Sequence, residues 1–306
     1  MKVRKPTIEW PTLALLLATY GALALATTWV WQWSPVTAFL LASVAIAQFS
    51  SLQHEVLHGH PFANRTLSEA MVFPGVTLFV PYLRFKDLHL AHHHDPNLTD
   101  PYDDPESNFF DPAVWARTGM ILRQLHTASN TLAGRIVLGP LIGAWALLKD
   151  DAIRIARGES RVILAWALHL VGLGLVLGWL WSVGSMPVWA YVAAAYAGWG
   201  LLKIRTYLEH RAHDSARART VIIESRGPLS LLFLNNNFHA VHHIHPKAPW
   251  YMLPSLYAKN REHYLRRNDG YVYKGYTEIF RQHLFRAKDP VPHPMWTPKK
   301  RSSPAE

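Results

Sequence analysis

The sequence contains no cysteine in 306 residues. Without thiols the chain has no disulfide bonds, no cysteine-ligated zinc or iron–sulfur site, and no fused rubredoxin-like electron carrier. A metal centre in this chain therefore needs nitrogen or oxygen ligands, and the sequence offers 18 histidines for that purpose.

Charged residues are absent from two long stretches. Residues 10–54 and residues 162–202 contain no Asp, Glu, Lys or Arg over 45 and 41 positions, respectively. A membrane-spanning helix needs about 20 apolar residues, so each stretch has room for two helices and a turn. Surface helices of soluble proteins keep a polar face, which makes two hairpins buried in a soluble core the weaker interpretation.

Turn residues lie near the middle of both stretches. "WQWSP" at Trp31–Pro35 and "SVGSMP" at Ser182–Pro187 contain the Pro, Gly and Ser residues that end helices. Two shorter apolar pieces, Ala70–Leu83 and Ile136–Leu148, contain prolines and are predicted to be interfacial or re-entrant helices. The sequence thus predicts an all-α integral membrane protein with four transmembrane helices in two hairpins, the spans lying near residues 11–31, 36–54, 162–181 and 187–205.

Positive charge indicates the orientation of these spans. All 31 Lys and Arg residues lie outside the two turns, and positively charged flanks stay on the cytoplasmic side of a membrane. Both termini and the segments 55–161 and 206–306 are therefore predicted to be cytoplasmic. The net charge of +10 is interpreted as a topology and lipid-headgroup signal, because no nucleic-acid-binding motif accompanies it.

A histidine pattern at the end of the second span is typical of zinc metalloproteases. In "HEVLH", His54 and His58 would hold the metal and Glu55 would be the general base. With this histidine content, however, an HxxxH pattern is expected about once per chain by accident, so the motif alone carries little weight.

Two HxxHH patterns are far more specific. His89-x-x-His92-His93 and the later "HAVHH" are each expected only about 0.06 times by chance. Residues at i, i+3 and i+4 are neighbours on a helix, so each pattern is expected to point three imidazoles at one locus. The three clusters lie on the predicted cytoplasmic side. Their eight histidines exceed what one tetrahedral zinc takes, and imidazole suits iron, zinc, copper or nickel, so the set favours two metals.

The order HxxxH, HxxHH, HxxHH around paired spans resembles the membrane fatty acid desaturase/hydroxylase superfamily, and the resemblance covers nearly the whole chain. It implies one domain over residues 1–306, with a cytoplasmic helical cap that carries the three histidine boxes. It also implies two iron ions held by nine imidazoles, the ninth lying in "RTYLEHRAH" at Arg205–His213. His210 is preferred because its distance from the third box resembles the family spacing, and His213 stays as the alternative. The implied ligands are His54, His58, His89, His92, His93, His210, His239, His242 and His243.

The resemblance further implies O2-dependent removal of hydrogen from an unactivated C–H bond, with no catalytic residue beyond the metal centre. Desaturation of a fatty acyl chain on a lipid or carrier is the first expectation. A carotenoid-type hydroxylase or ketolase, or a desaturase of a small amino-acid-like metabolite, is the alternative. The implied partners are an acyl substrate in the membrane and a separate electron donor (ferredoxin, rubredoxin or b-type cytochrome) with its reductase. The implied location is a bacterial inner membrane.

Polar residues next to the boxes are candidates for orienting the imidazoles, although each of them is equally suited to cap a helix. They are Glu55, Asp87, Asp95, Asn236 and Asn237. "DPNLTDPYDDPES" at Asp95–Ser107, with five acids and three prolines, is predicted to be a rigid, turn-rich loop. The alternative for this loop is a wall of the substrate entrance or a guide for a cationic head group.

Two other functions fit the sequence less well. An intramembrane zinc protease needs a third ligand, often an Asp in a later span, but Asp269 of "RNDG" lies in polar sequence about 60 residues past the last span. A haem or metal transporter needs polar groups at the bilayer midplane, and His169 is the one ionisable residue within the predicted spans that approaches it.

Overall fold

The computed structural model describes residues 8–297, and most of this part of the chain is helical. The helices are α1 (Trp10–Leu25), α2 (Trp31–Trp33), α3 (Pro35–Leu57), α4 (Arg65–Ala70), α5 (Tyr82–His94), α6 (Pro112–Arg117), α7 (Met120–Ser129), α8 (Leu132–Ala156), α9 (Ser160–Ser182), α10 (Val188–Thr206), α11 (Pro228–Leu232), α12 (His239–Ile244), α13 (Leu253–Lys259), α14 (Arg261–Arg267) and α15 (Tyr276–His283). A π-helical turn, Ala26–Val30, joins α1 to α2, and 3₁₀ turns lie at Ala216–Ala218 and Trp250–Met252. A two-stranded parallel sheet pairs β1 (Ile222–Ile223) with β2 (Val272–Tyr273).

Four helical stretches within residues 8–297 are long and apolar enough to cross a membrane, which confirms the predicted number of candidate spans. They are Trp10–Trp33, Pro35–Leu57, Leu132–Ala156 and Ser160–Ser182. Three of them coincide with predicted spans. Their outward faces carry large exposed apolar side chains, for example Leu40 and Leu170, as expected for contact with lipid.

The predicted spans and these four helical stretches differ in one helix. Ile136–Leu148 is part of α8, a helix of 25 residues that continues through Pro140, so the expectation that this piece is too short to span a membrane was wrong. The apolar run is shorter than the helix because the last two turns of the helix carry charged residues. The predicted span near 187–205 is α10, a 19-residue helix that is not among the four. Gly198 lets α10 pack tightly against α3, and Gly200 lets it pack tightly against α8, because a Cβ atom at either position would lie 2.7 Å from a backbone oxygen of the neighbouring helix.

Ala70–Leu83 is not a helix, which corrects the second interfacial prediction. α4 ends at Ala70, and the chain then makes turns until α5 begins at Tyr82. The Gly75 amide donates to the Gly172 carbonyl of α9 at 2.9 Å. A Cβ atom on Gly172 would lie 2.6 Å from the Phe73 carbonyl oxygen, so the loop reaches α9 only because no side chain is present there.

A buried ion pair fixes α5 between α8 and α9. The Arg84 Nε atom donates to Asp151 Oδ1 at 2.8 Å, and the Trp166 indole donates to Asp151 Oδ2 at 2.8 Å. The side chains of Arg84 and Asp151 are 3% and 1% exposed. This contact matters for the site because the last two turns of α5 carry the second histidine box.

The short sheet fixes the helix that carries the third box. The Ala240 amide in the first turn of α12 donates to the Val221 carbonyl next to β1 at 3.0 Å, and the Ile223 amide donates to the Asn237 carbonyl at 2.8 Å. Phe238 and Val241 pack with Ile222 in a buried apolar cluster. α12 is thereby held in position on both sides of its first histidine.

Candidate metal centre

Nine histidines from distant parts of the chain come together in two groups. Within each group, one nitrogen from every member lies within 4.8 Å of the others. Group one comprises His54, His58, His89, His93 and His242, and group two comprises His92, His210, His239 and His243. These are the nine residues that the sequence patterns and the resemblance suggest as ligands.

The two HxxHH boxes divide their histidines between the groups, so the expectation of three imidazoles at one locus was wrong. In box two, His89 and His93 lie in group one and His92 lies in group two. In box three, His239 and His243 lie in group two and His242 lies in group one. The reason is helical geometry. Residues i and i+4 differ by about 40° around the axis, whereas i+3 and i+4 differ by about 100°.

Four segments supply these side chains. His54 lies in the last turn of α3 and His58 caps that helix. α5 and α12 carry the second and third boxes. His210 follows α10 in an extended segment that pairs with Thr220.

Hydrogen-bond acceptors on the outer side of the rings turn the Nε2 atoms inwards. The Nδ1 atom of His92 lies 2.7 Å from Asp104 Oδ1, that of His89 lies 2.9 Å from Glu106 Oε1, and that of His239 lies 3.1 Å from Asn236 Oδ1. A neutral imidazole has one donor nitrogen and one acceptor nitrogen. With the proton on Nδ1, the Nε2 lone pair of each of these rings points into its group.

The inward nitrogens have the spacing of metal ligands. The Nε2–Nε2 distance is 2.9 Å for His92–His210, 3.0 Å for His93–His89 and 3.1 Å for His242–His93. Ligands about 2.1 Å from an ion at right angles lie about 3.0 Å apart. The Nε2 atoms of His54 and His58 are buried without a hydrogen-bond partner among residues 8–297. A cation in each group would use these converging lone pairs, so the residues fit two metal ions.

Burial keeps most of these imidazoles in the form that binds metal. It lowers the pKa of His93 to about 3 and moves the pKa of His210, His239 and His243 well below the ordinary value. They are therefore neutral at pH 7, as metal ligation requires. Burial also opposes protonation of His92, but the hydrogen bond with Asp104 and the charge of Glu106 outweigh it and raise the pKa of His92 to about 9.

Only Asn236 of the five predicted orienting residues makes a hydrogen bond to a box histidine in the described part of the chain. The Asp87 carboxylate pairs with Arg161 at 2.8 Å, and Asp95 accepts the Asn97 amide in its own turn. The Asn237 side chain donates to backbone carbonyls near β1. Glu55 accepts the Trp250 amide at 3.1 Å and stays 4.0 Å from His54 Nδ1.

The acidic loop supplies orienting groups that the sequence patterns did not reveal. Asp104 and Glu106, which contact His92 and His89, belong to the stretch predicted to be a solvated turn or an entrance wall. Glu209 was also missed; its Oε1 lies 3.7 Å from His239 Nδ1 and 2.9 Å from Arg205 Nε. A signal was present, since five acids follow box two within 13 residues, but spacing alone does not show which acids turn back.

The histidines outside the two groups have other partners. His213, the alternative ninth ligand, lies 3.2 Å from Asp269, whereas His210 lies in group two. His60 pairs with Glu9, and His169 donates to the Leu78 carbonyl. His94 and His245, which extend boxes two and three, bond to the Leu90 carbonyl and the Tyr264 hydroxyl.

Changing Asp104 to Asn is expected to lower the affinity for metal by about 10–100-fold, because the amide holds the His92 tautomer less firmly than a carboxylate does. Retention of metal by the purified protein against a series of chelator concentrations measures this. Asp103→Asn is the matched control, since Asp103 is adjacent in the same loop and bonds to Asn97 at the surface. Equal retention by both variants would show that Asp104 does not support the centre.

A large cavity extends from the metal centre into the helical part of the protein. It has a volume of about 790 Å³, and its wall includes His210 and Glu209 at one side and Ile46, Trp199 and Leu202 among the helices. A second cavity of about 280 Å³ shares Gln53, Thr77 and Val80 with it. These volumes suit small-molecule sites, which are mostly apolar with a few polar groups.

Comparison with known proteins agrees with this geometry. Residues 30–275, a range that includes all nine histidines, match the model of the family described as fatty acid desaturase. The sphingolipid delta(4)-desaturases DES1 of Rattus norvegicus and Homo sapiens are each 24% identical to the chain. The alignments cover 85% of this chain and 77% and 76% of those proteins, respectively. The sphingolipid delta(4)-desaturase/C4-monooxygenase DES2 of Homo sapiens is also 24% identical, over 85% of this chain and 76% of its own length.

Proposed function

The chain belongs to the fatty acid desaturase family, and we propose that it is a membrane-bound di-iron oxidoreductase that uses O2 to desaturate a fatty acyl chain. The observation that carries the proposal is the pair of histidine groups, five and four in number, in each of which one nitrogen per ring lies within 4.8 Å of the others. A single domain, with boxes and termini on the cytoplasmic face of a bacterial inner membrane, is part of the same proposal.

In this proposal the nine histidines hold two iron ions, which supply the one-electron chemistry needed to break an unactivated C–H bond. Asp104, Glu106 and Asn236 keep the ring protons on Nδ1, so that Nε2 remains available. The cavity beside His210 holds the acyl chain and keeps water from the reacting carbon. Electrons come from a separate ferredoxin, rubredoxin or b-type cytochrome with its reductase, because the chain has no cysteine-ligated cluster of its own.

Hydroxylation is the second candidate outcome, and one observation favours it over ketolation. The name of one relative joins a desaturase to a C4-monooxygenase. The same centre in this chain would then add one oxygen to the substrate instead of removing two hydrogens. Carotenoid-type ketolation and desaturation of a small amino-acid-like metabolite have no comparable support.

The protease interpretation of "HEVLH" loses its support in the structure. His54 and His58 lie with three further histidines, and the described residues place no aspartate in that group. Glu55, the would-be general base, is buried and accepts the Trp250 amide. The Asp269 side chain, which its position in the sequence already disfavours as a third ligand, is 71% exposed and lies beside His213.

Metal and product analysis test the proposal. The purified chain is expected to contain about two irons, since the histidines form two separate groups. Lipids from membranes supplied with an electron-donor system are expected to show a loss of two hydrogens by mass spectrometry. A gain of one oxygen would instead establish the hydroxylase. One zinc per chain with peptidase activity would overturn both.

A further inference from the structure

Most of the charged side chains that line the large cavity have an ion-pair or hydrogen-bond partner. Lys288 lies 3.0 Å from Asp289, and Arg154 lies 2.7 Å from Glu159. The other charged wall residues also have partners: Arg205 pairs with Glu209, Asp150 pairs with Arg84 and Arg154, and Asp104 and Glu106 accept hydrogen bonds from the rings of His92 and His89. Two cations on the wall, Arg135 and Lys203, have no carboxylate within 4.0 Å among residues 8–297.

These two cations lie next to each other in the cleft between α8 and α10. A Cβ atom built on Gly139 would lie 3.0 Å from Arg135 Cδ and 3.4 Å from Lys203 Cγ. One turn further along α8, a Cβ atom on Gly143 would lie 3.9 Å from Lys203 Nζ. The two glycines therefore leave room for the lysine to extend along α8 beside the arginine.

The direct contacts of both cations are with neutral groups, while Glu106 and Glu209 attract the Lys203 charge from more than 4.0 Å away. The Arg135 guanidinium donates to the Ser129 carbonyl at 2.9 Å and to the Asn108 side chain, and it lies 6.0 Å from the Tyr207 ring. The Lys203 ammonium lies 5.5 Å from the Trp199 ring. Two like charges at the edge of a low-dielectric cavity repel each other, and an anion between them removes this cost.

We propose that Arg135 and Lys203 bind the anionic head group of the substrate, a carboxylate or a phosphate, while its acyl chain occupies the apolar part of the cavity. This inference rests on the proposed function, since it assumes that the cavity holds an acyl substrate. It opposes the expectation that the acidic loop guides a cationic head group, because Asp104 and Glu106 of that loop are paired with histidines.

Equilibrium binding to the full-length, detergent-purified protein tests the proposal with stearate and methyl stearate, which differ in head-group charge and share the same acyl chain. Stearate is expected to bind at least about tenfold more tightly than its ester. Stearoyl lysophosphatidate distinguishes the two sources of charge, because tighter binding than stearate assigns a phosphate and weaker binding assigns a carboxylate. Equal binding of stearate and methyl stearate would overturn the inference.

Substitution of the two cavity cations tests whether they cause the preference for stearate over methyl stearate. Lys203→Met and Arg135→Met are each expected to lower stearate affinity about tenfold and to leave methyl stearate binding unchanged. Lys149→Met is the matched control, because Lys149 is an exposed residue of α8 outside the cavity wall. Unchanged stearate binding in both cavity variants would place the head group elsewhere. If either variant fails to fold, the comparison of stearate with methyl stearate on the unsubstituted protein still tests the proposal.

The same preparations separate this inference from the proposed function. Two irons and a desaturated product together with equal binding of acid and ester would remove the head-group assignment alone. Absence of iron from the purified protein would instead remove the proposed function, whatever the binding preference.

Discussion

His242→Ala is expected to abolish activity and to lower the metal content of the whole centre. His242 contributes from the third box to a group whose other members come from the first and second boxes, and its Nε2 atom lies 3.1 Å from that of His93. Losing a ligand is expected to cost more than the roughly 10–100-fold that loss of an outer partner costs. Iron per chain, measured on purified protein together with product formation, should fall in parallel.

The matched control is His245→Ala, three residues further along. His245 lies outside both groups and bonds to the Tyr264 hydroxyl at 3.0 Å. This variant should keep its iron and its activity. A His242→Ala protein with full iron content and turnover would remove His242 from the centre. Equal losses in both variants would indicate a general defect of folding in this segment.

Asp151→Ala is expected to lower the free energy of unfolding by about 3–5 kcal/mol, because it removes the buried partner of the Arg84 guanidinium and leaves only the more distant, exposed Asp150. The Trp166 indole also loses its acceptor. Since Arg84 belongs to the helix that carries box two, metal content should fall with stability. Titration with SDS, followed by tryptophan fluorescence of the purified protein, measures the change.

Two control variants distinguish loss of the buried ion pair from loss of a carboxylate as such. Asp150→Ala removes the neighbouring carboxylate, which is 59% exposed and 3.6 Å from Arg84, and should cost less than about 1 kcal/mol. The double variant Arg84→Met, Asp151→Leu removes both buried charges and should recover most of the loss. An Asp151→Ala protein as stable as Asp150→Ala would show that this pair does not hold α5 in place.

The sequence was most informative where a pattern is local. Histidines at i, i+3 and i+4 mark one short helix whatever surrounds it, and uncharged stretches mark long apolar helices such as α3 and α9. α8 was misjudged because Pro140 and a charged end interrupt its apolar run, while tertiary packing maintains the helix.

Contacts between distant residues could not be read from spacing. Asp104 lies 12 residues after His92 and returns to it only because the loop has a particular succession of turns. Asp87, within two residues of His89 in the sequence, faces Arg161 instead. Successive side chains of a helix point in directions that differ by about 100°. Proximity in sequence therefore did not identify the carboxylates that contact the imidazoles.

Because each HxxHH helix contributes ligands to both groups, binding of metal to one group is expected to affect binding to the other. α5 and α12 each present ligands to both groups, so an ion in one group immobilises the helices that the other group needs. If both groups take iron as proposed, occupation of one raises the affinity of the other, and the coupling free energy is the same in either order. Half-filled protein would then be a minor species, and the two ions would enter and leave together.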